Sequence, residues 1–527
     1  MNNFKDKKIL LVCAETYSWP MHYIAKELRG NCENISAIFI QPSEAYFQSS
    51  YYKKFTSLNK DINIYEMSCI VEEYLNKHKN AKDNIDMGYI RNIDSSYSRF
   101  SSINEQLITE MMLLPYYHDR FFYKPIDYNR ILLYVQIFYK QIENLIALNK
   151  PEIILDADIG FFGRTVLLEV AYKNNIPYVS IDYSRIGNYV LPTLSLTKEK
   201  NYHLKKLFND NLRDTSLSSN KLLTEELIKT KKYIGEVPVM WKHIYQERKF
   251  SILKMIYLAC KNTVTFFRHT SLKSFLLSTF QRINSPICSD SLSSLRFMYT
   301  YHIRRIYLEY SNIFETVDLK KINYIYIPLH EIPESSTVVL APYHINEIFT
   351  IESISKSIRP DQYVVVKEHW SMVGYRPISF YRKIKQLPNV ILINPVQYAL
   401  PYDYIRYSDL VVTISGSAAL EASVIGVNSL IFSDVTFGFL SSVKKVTISS
   451  SLRNIIKDHM KHKMKDQELY AYLKILVEWG EKIQIKNLLI SPNYKNMNNC
   501  DNKNDVEGLL TILNNGVNLH YKKQEDL

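Results

Sequence analysis

Glycine is scarce in this chain, with 13 in 527 residues, and neither a GxGxxG fingerprint nor a Walker loop occurs. Nucleotide binding through either glycine-rich phosphate loop is thereby excluded. Six cysteines stand far apart, at 13, 32, 69, 260, 288 and 500, with no CxxC spacing and no neighbouring histidine. They read as reduced thiols of a cytoplasmic protein, not as a disulfide frame or a zinc site. HExxH is absent too. The longest apolar stretch, from 252 to 267, is broken by Lys254 and Lys261, so no segment reaches transmembrane length. Near the start, Lys5, Lys7 and Lys8 precede only six apolar residues, Ile9 to Ala14, before Glu15. That is a first strand, not a signal peptide.

What is present is globular. Hydrophobic residues make up 46% and charged residues 22%, and the length calls for two or three domains. A formal charge of +12 and a pI near 9.0 favour anionic partners: nucleic acid, an anionic membrane face, or anionic sugars and nucleotides. Charge alone does not choose among them.

Residues 1–195 read as a first Rossmann-like domain, opening on a strand (9–13), a helix (20–28) and a second strand (35–40). A long amphipathic helix over 128–148 then leads to a strand ending at Leu155. Residues 196–320 form a helical insertion in which Lys254, Lys261 and Arg268 recur every seven residues beside Ile256, Phe266, Phe267 and Phe275. Such a face suits either an anionic membrane surface or ordinary packing with a basic edge. Residues 321–450 alternate short strands and helices as a second parallel sheet requires, 451–490 are helical, and 491–527 read as a flexible tail. The expected fold class is therefore α/β, GT-B-like, with two Rossmann-like domains facing a cleft and a helical insertion.

Two loops in the second domain carry the chemistry. Lys367-Glu368-His369 follows the apolar run 363–366, and Ser415-Gly416-Ser417 follows the run 410–414, so both sit at carboxyl ends of buried strands, where open α/β sheets bind ligands. Helix formers follow Ser417 as far as Gly426, a C-terminal stop. Strand, Ser-Gly-Ser and helix together describe an anion site suited to phosphate. The serines also suit a simple capping role.

Four segments taken together resemble the bacterial capsule polysaccharide synthesis family, which includes Kdo (3-deoxy-manno-octulosonate) transferases. They are Tyr326 to Thr337, Val365 to His369, Gly374-Tyr375-Arg376-Pro377, and Thr413 to Ala422. A weaker echo lies at Gly163-Arg164, Ile176-Pro177 and Ser184-Arg185-Ile186-Gly187-Asn188, while 200–315 shows none. The resemblance implies a GT-B glycosyltransferase that takes a CMP-activated acidic sugar as donor substrate, with no cofactor. Trp370 stands where that family usually has proline after the histidine. A proline would restrict the backbone of His369, and Trp370 offers instead a ring to stack on a base or to serve as an apolar lid.

The candidate donor-binding residues are Lys367, Glu368, His369, Arg376, Ser415, Gly416, Ser417, Glu421 and Glu334. His369, if protonated, would offset charge on departing CMP; Arg376 would pair with a donor carboxylate or phosphate; Glu421 suits a ribose hydroxyl or the helix dipole. Glu334 has no role derivable from its position. Glycosyl transfer also needs a carboxylate from the first domain, as base or nucleophile. Asp158 is favoured, Asp156 is the alternative, and Glu15 is held in reserve. Asp156-Ala157-Asp158 is also a DxD string, yet two Rossmann-like domains argue for a metal-free site. The expected partners are a nucleotide-sugar donor and a glycan or glycolipid acceptor, with peripheral contact to the cytoplasmic face of the inner membrane and to polysaccharide assembly machinery, and no nucleic acid. The alternatives are another CMP-nonulosonate or UDP-sugar donor, or a non-catalytic glycan-binding protein on the same fold.

Overall fold

A computed structural model describes residues 2–40, 48–67, 81–107, 128–158, 160, 162–196, 202–234, 291–332, 334–395, 401–490 and 503–525, with single positions at 73, 77, 253, 256–258, 260, 261, 263 and 264. Two separate sheets form, each from apolar runs bounded by helices. The first holds β1 (Lys8–Cys13), β2 (Asn34–Phe39), β3 (Asn63–Glu66), β4 (Ile153–Leu155), β5 (Tyr178–Tyr183), β6 (Tyr189–Thr193) and β13 (Glu481–Lys482). Its order is β13-β6-β5-β4-β1-β2-β3, parallel from β3 through β5, with β6 and β13 added antiparallel.

The second sheet is fully parallel: β7 (Asn323–Pro328), β8 (Gln362–Lys367), β9 (Val390–Ile393), β10 (Leu410–Thr413), β11 (Ser429–Ile431) and β12 (Val443–Lys445). Its order, β12-β11-β10-β7-β8-β9, is doubly wound, and the winding reverses between β7 and β10. The matching reversal in the first sheet lies between β1 and β4. Ligands of open α/β sheets bind outside the carboxyl ends at such switch points.

Side-chain alternation sorts each strand onto two cores. On β1, Leu10 and Val12 face the helices Tyr128–Asn149 and Phe162–Lys173, whereas Ile9, Leu11 and Cys13 face the helices Ser18–Leu28 and Lys503–Glu525. That last helix corrects the expected flexible tail. Val506, Leu509, Leu510, Leu513 and Val517 are buried in the first domain, and Gly516 lets the helix approach β5 so closely that an added Cβ would lie 2.2 Å from Val179 Cγ1.

The two domains share a further core. Tyr189 and Leu191 of β6 pack with Ala419, Leu420 and Ile431 of the second domain and with Leu473 and Leu476 of the helix Asp466–Trp479. Beside it, Thr436 Oγ1 donates to Asp182 Oδ2, and Tyr472 OH donates to the Ser184 carbonyl at 3.2 Å. The carboxyl end of β5 therefore meets the loop that follows β11. Of the basic heptad, Lys261 is exposed, while Lys254, Arg268, Phe266, Phe267 and Phe275 lie outside the described residues.

Candidate functional site

The second switch point is built on a residue of the Tyr326 to Thr337 segment that is not among the candidate donor-binding residues. His330 follows the central strand β7 and bridges to β10. Its Nε2 lies 2.9 Å from Thr413 Oγ1, its Nδ1 lies 3.2 Å from Glu347 Oε1, and its backbone N–H donates to the same carboxylate at 2.8 Å. Thr413 Oγ1 also accepts the Gly416 N–H at 3.1 Å. Assigned from this network, Nδ1 carries the proton toward Glu347 and Nε2 accepts from the threonine. The chain of bonds leaves no slack at Gly416, where an added Cβ would stand 2.6 Å from Thr413 Oγ1 and 3.2 Å from His330 Nε2. Gly416→Ala is expected to lower stability by about 1–3 kcal/mol, as thermal melts will read.

Neither serine of the Ser-Gly-Ser turn caps the following helix, Ala418–Ile425, through its side chain. Ser417 Oγ donates to Glu421 Oε1 at 2.9 Å, and Ser415 Oγ donates to the Ser336 carbonyl. The helix ends at Gly426 in the left-handed conformation, φ +84°, as its sequence requires. The exposed Glu334 begins the short helix Ser335–Val338 and accepts from Ser336 Oγ at 2.6 Å. Its chain neighbour Ser336 is thus what ties it to Ser415.

Lys367 and Glu368 part company at the end of β8. The Lys367 Nζ stands 5.1 Å over the Tyr404 ring, and burial presses its pKa down to about 8 against the pull of Glu421 and Glu368. Glu421 is pushed up by burial, opposed by Ser417, Lys367 and Arg185. Arg185 belongs to the first domain, at the exposed tip between β5 and β6, in a left-handed conformation of φ +64° with its guanidinium 6.0 Å from the Tyr183 ring. A first-domain cation therefore acts on the second domain's site, and only strand pairing reveals it.

Glu368 and Arg376, both expected at a donor, turn inward instead. Both are buried. Arg376 holds Glu368 through Nε at 3.0 Å and Glu347 through Nη1 at 2.6 Å, and donates through Nη2 to the His330 carbonyl at 2.5 Å. Tyr381 OH adds a bond to Glu368 at 2.8 Å. Burial would raise both carboxyls. Arg376 and His330 outweigh it at Glu347, which is lowered, while Glu368 stays raised.

His369 remains partly exposed, with Nδ1 2.6 Å from Ser371 Oγ and that hydroxyl 3.0 Å from Glu331 Oε2. Burial and the charges of Lys367 and Arg376 press its pKa down to about 4. At neutral pH this favours the uncharged imidazole, the form that shares a hydrogen bond with Ser371. Its backbone, φ −69° and ψ 123°, lies in the region a following proline would impose. The course of the histidine is thus one that a proline at 370 would also permit.

In the first domain, Asp156 is fully buried and saturated: Oδ1 accepts the Ala157 N–H at 2.8 Å, and Oδ2 accepts Arg164 Nε at 2.7 Å and Tyr178 OH at 2.6 Å. It holds Arg164 in place, and both of its oxygens are engaged. Asp158 reaches the surface with 21% of its side chain exposed, 3.3 Å from Arg164 Nη1. Glu15, exposed after β1, adopts a left-handed φ of +43°. Among the described residues no group of His, Cys, Asp and Glu is arranged to hold a metal, and no helix is long and apolar enough to cross a membrane.

No family model matches the chain, and no curated protein matches it in sequence. Among solved structures it is similar to the beta Kdo 2,7 transferase of Thermosulfurimonas dismutans KpsC, at 12% identity and a TM-score of 0.28, over 63% of this chain and 79% of that one. The beta Kdo 2,4 transferase of the same protein gives 11% and 0.29, over 64% and 83%. UDP-GlcNAc 2-epimerase from Neisseria meningitidis bound to UDP-GlcNAc gives 12% and 0.26, over 98% and 99%. The site's own geometry, and not these likenesses, supports a functional reading.

Proposed function

We propose that the chain is a glycosyltransferase that moves an acidic sugar, Kdo from CMP-Kdo, onto a surface polysaccharide or its lipid-linked primer at the cytoplasmic face of the membrane. The observation that carries this reading is the second switch point, where Lys367, His369 and the rigid Ser415–Ser417 turn share one sheet edge with the helix Ala418–Ile425. Lys367, the turn and the helix N-terminus suit the phosphate of a nucleotide-sugar, and they meet charge that grows on CMP as the sugar–phosphate bond breaks. Asp158 is the candidate acceptor-side group. Its carboxylate takes the proton of the acceptor hydroxyl while that oxygen bonds to the anomeric carbon. Arg185 brings a second cation from the first domain. The reaction is proposed to need no metal.

A thermal-shift series with CMP and UDP is the first test, since a nucleotide that binds the native state stabilises it by mass action. CMP is expected to raise the melting temperature and UDP to leave it unchanged. Incubation with CMP-Kdo and a glycan acceptor should release CMP, with roughly a hundredfold or greater loss in Asp158→Ala, a lesser loss in His369→Ala, and no effect of EDTA. A stabilising UDP with an inert CMP would overturn the donor assignment, and transfer lost to EDTA and restored by Mn²⁺ would overturn the metal-free reaction.

A further inference from the structure

One surface lies outside the reaction and is poorly suited to water. On the helix Ser291–Tyr310, Tyr299, Ile303, Tyr307 and Tyr310 are exposed at spacings of four, four and three residues, a single helical stripe, with Ile303 at 65% and Tyr310 at 63%. The described residues between 253 and 264 are helical too, and Leu253, Tyr257, Cys260 and Val264 repeat the pattern, with Leu253 at 78%. Thr263 Oγ1 and Tyr299 OH, 2.9 Å apart, set the two stripes side by side. Exposed apolar residues grouped in this way mark an interaction surface.

The surroundings say what it meets. Lys261 stands exposed between Tyr257 and Val264. The adjacent helix Ile378–Lys385 carries Arg382, Lys383 and Lys385 and no acid, and Arg382 reaches onto the stripe, its Nη2 3.0 Å from Tyr307 OH. Arg305 adds a cation next to the Tyr301 ring. Against these stand Glu309, and Glu315, which Lys385 pairs at 3.4 Å. An apolar stripe rich in tyrosine with a basic margin is complementary to an anionic lipid surface, where tyrosine sits at headgroup depth and cations meet phosphate. We propose that these two helices dock the protein flat on an anionic membrane.

The docked face is keyed to the site. Arg304 Nη1 donates to the Tyr375 carbonyl at 2.6 Å, and the Tyr301 and Tyr375 ring centroids are 4.9 Å apart. Gly374, at φ +93°, admits the helix so closely that a Cβ there would stand 2.4 Å from Arg305 Cγ. The loop that leads from His369 to Arg376 is therefore braced against the lipid-facing helix. Docking does not depend on the identity of the donor or on the reaction.

Co-sedimentation with vesicles of phosphatidylglycerol and phosphatidylcholine, against phosphatidylcholine alone, tests the proposal on the full-length chain. Binding is expected to the anionic vesicles, to weaken as salt rises, and to fall at least tenfold in Ile303→Asp/Tyr310→Ser and severalfold in Arg382→Glu. These positions are exposed, so the melting temperatures should match the parent. Absence of binding to anionic vesicles, or equal binding by the variants, overturns the proposal. So does a dimer in light scattering that Ile303→Asp breaks, which would assign the face to a second copy.

Discussion

Arg376→Ala is expected to cost about 3–5 kcal/mol, the loss typical when one partner of a buried ion pair is removed and its counter-charges are stranded. Two carboxylates and a carbonyl depend on this one guanidinium: Glu347, Glu368 and the backbone oxygen of His330. Without it, Glu347 and Glu368 face each other inside the second domain, and the His330 bridge to Thr413 loses its support. A melting temperature of the second domain lower by roughly 6–20 °C should follow. Arg376→Lys will not rescue it, because an ammonium cannot serve three acceptors from a planar fork. A donor ligand would behave in the opposite way. A variant that melts like the parent yet no longer binds CMP would return Arg376 to the donor contact that its position in the sequence suggests.

That contrast shows where the sequence is legible. The strand ends at Lys367 and Thr413 follow from apolar runs, and the turn to a helix at Ser417 follows from composition. What those runs do not carry is side-chain direction past a strand end. Lys367 leans over Tyr404 and Glu368 points the other way, onto Arg376 and Tyr381, although the two are neighbours in the chain. Strand order is equally silent: His330 matters because β7 lies between β8 and β10, a pairing between segments some 40 and 80 residues apart in sequence that local periodicity does not encode. The left-handed Arg185 has the same origin, since only the folded pair of domains brings it to bear on Glu421. The C-terminal helix was open to reading. Val506, Leu509, Leu510, Leu513 and Val517 keep a helical period, and the polar residues flanking them mask it.

Lys367 yields the second large effect, one that pH displays. The group is charged below about pH 8, because burial depresses its pKa from the ordinary lysine value while Glu421 and Glu368 oppose the shift. A phosphate needs the charged form. Affinity for CMP should hold level from pH 7 to 8 and then fall by up to tenfold per pH unit, until the pH passes the higher pKa that the bound phosphate gives the lysine. His369 titrates near 4 and does not contribute in this window. The phosphate's own second ionisation, at about 6, is complete below it. Lys367→Met should weaken binding at pH 7 by roughly ten- to a hundredfold, the range of a charge-assisted hydrogen bond, and should flatten the profile. Calorimetric titrations of CMP from pH 6.5 to 9.5 on both proteins decide it. If the parent profile is flat, or if the variant keeps the same slope, Lys367 is not the phosphate's cation, and Arg185, across the domain boundary, is the next to test by the same titration.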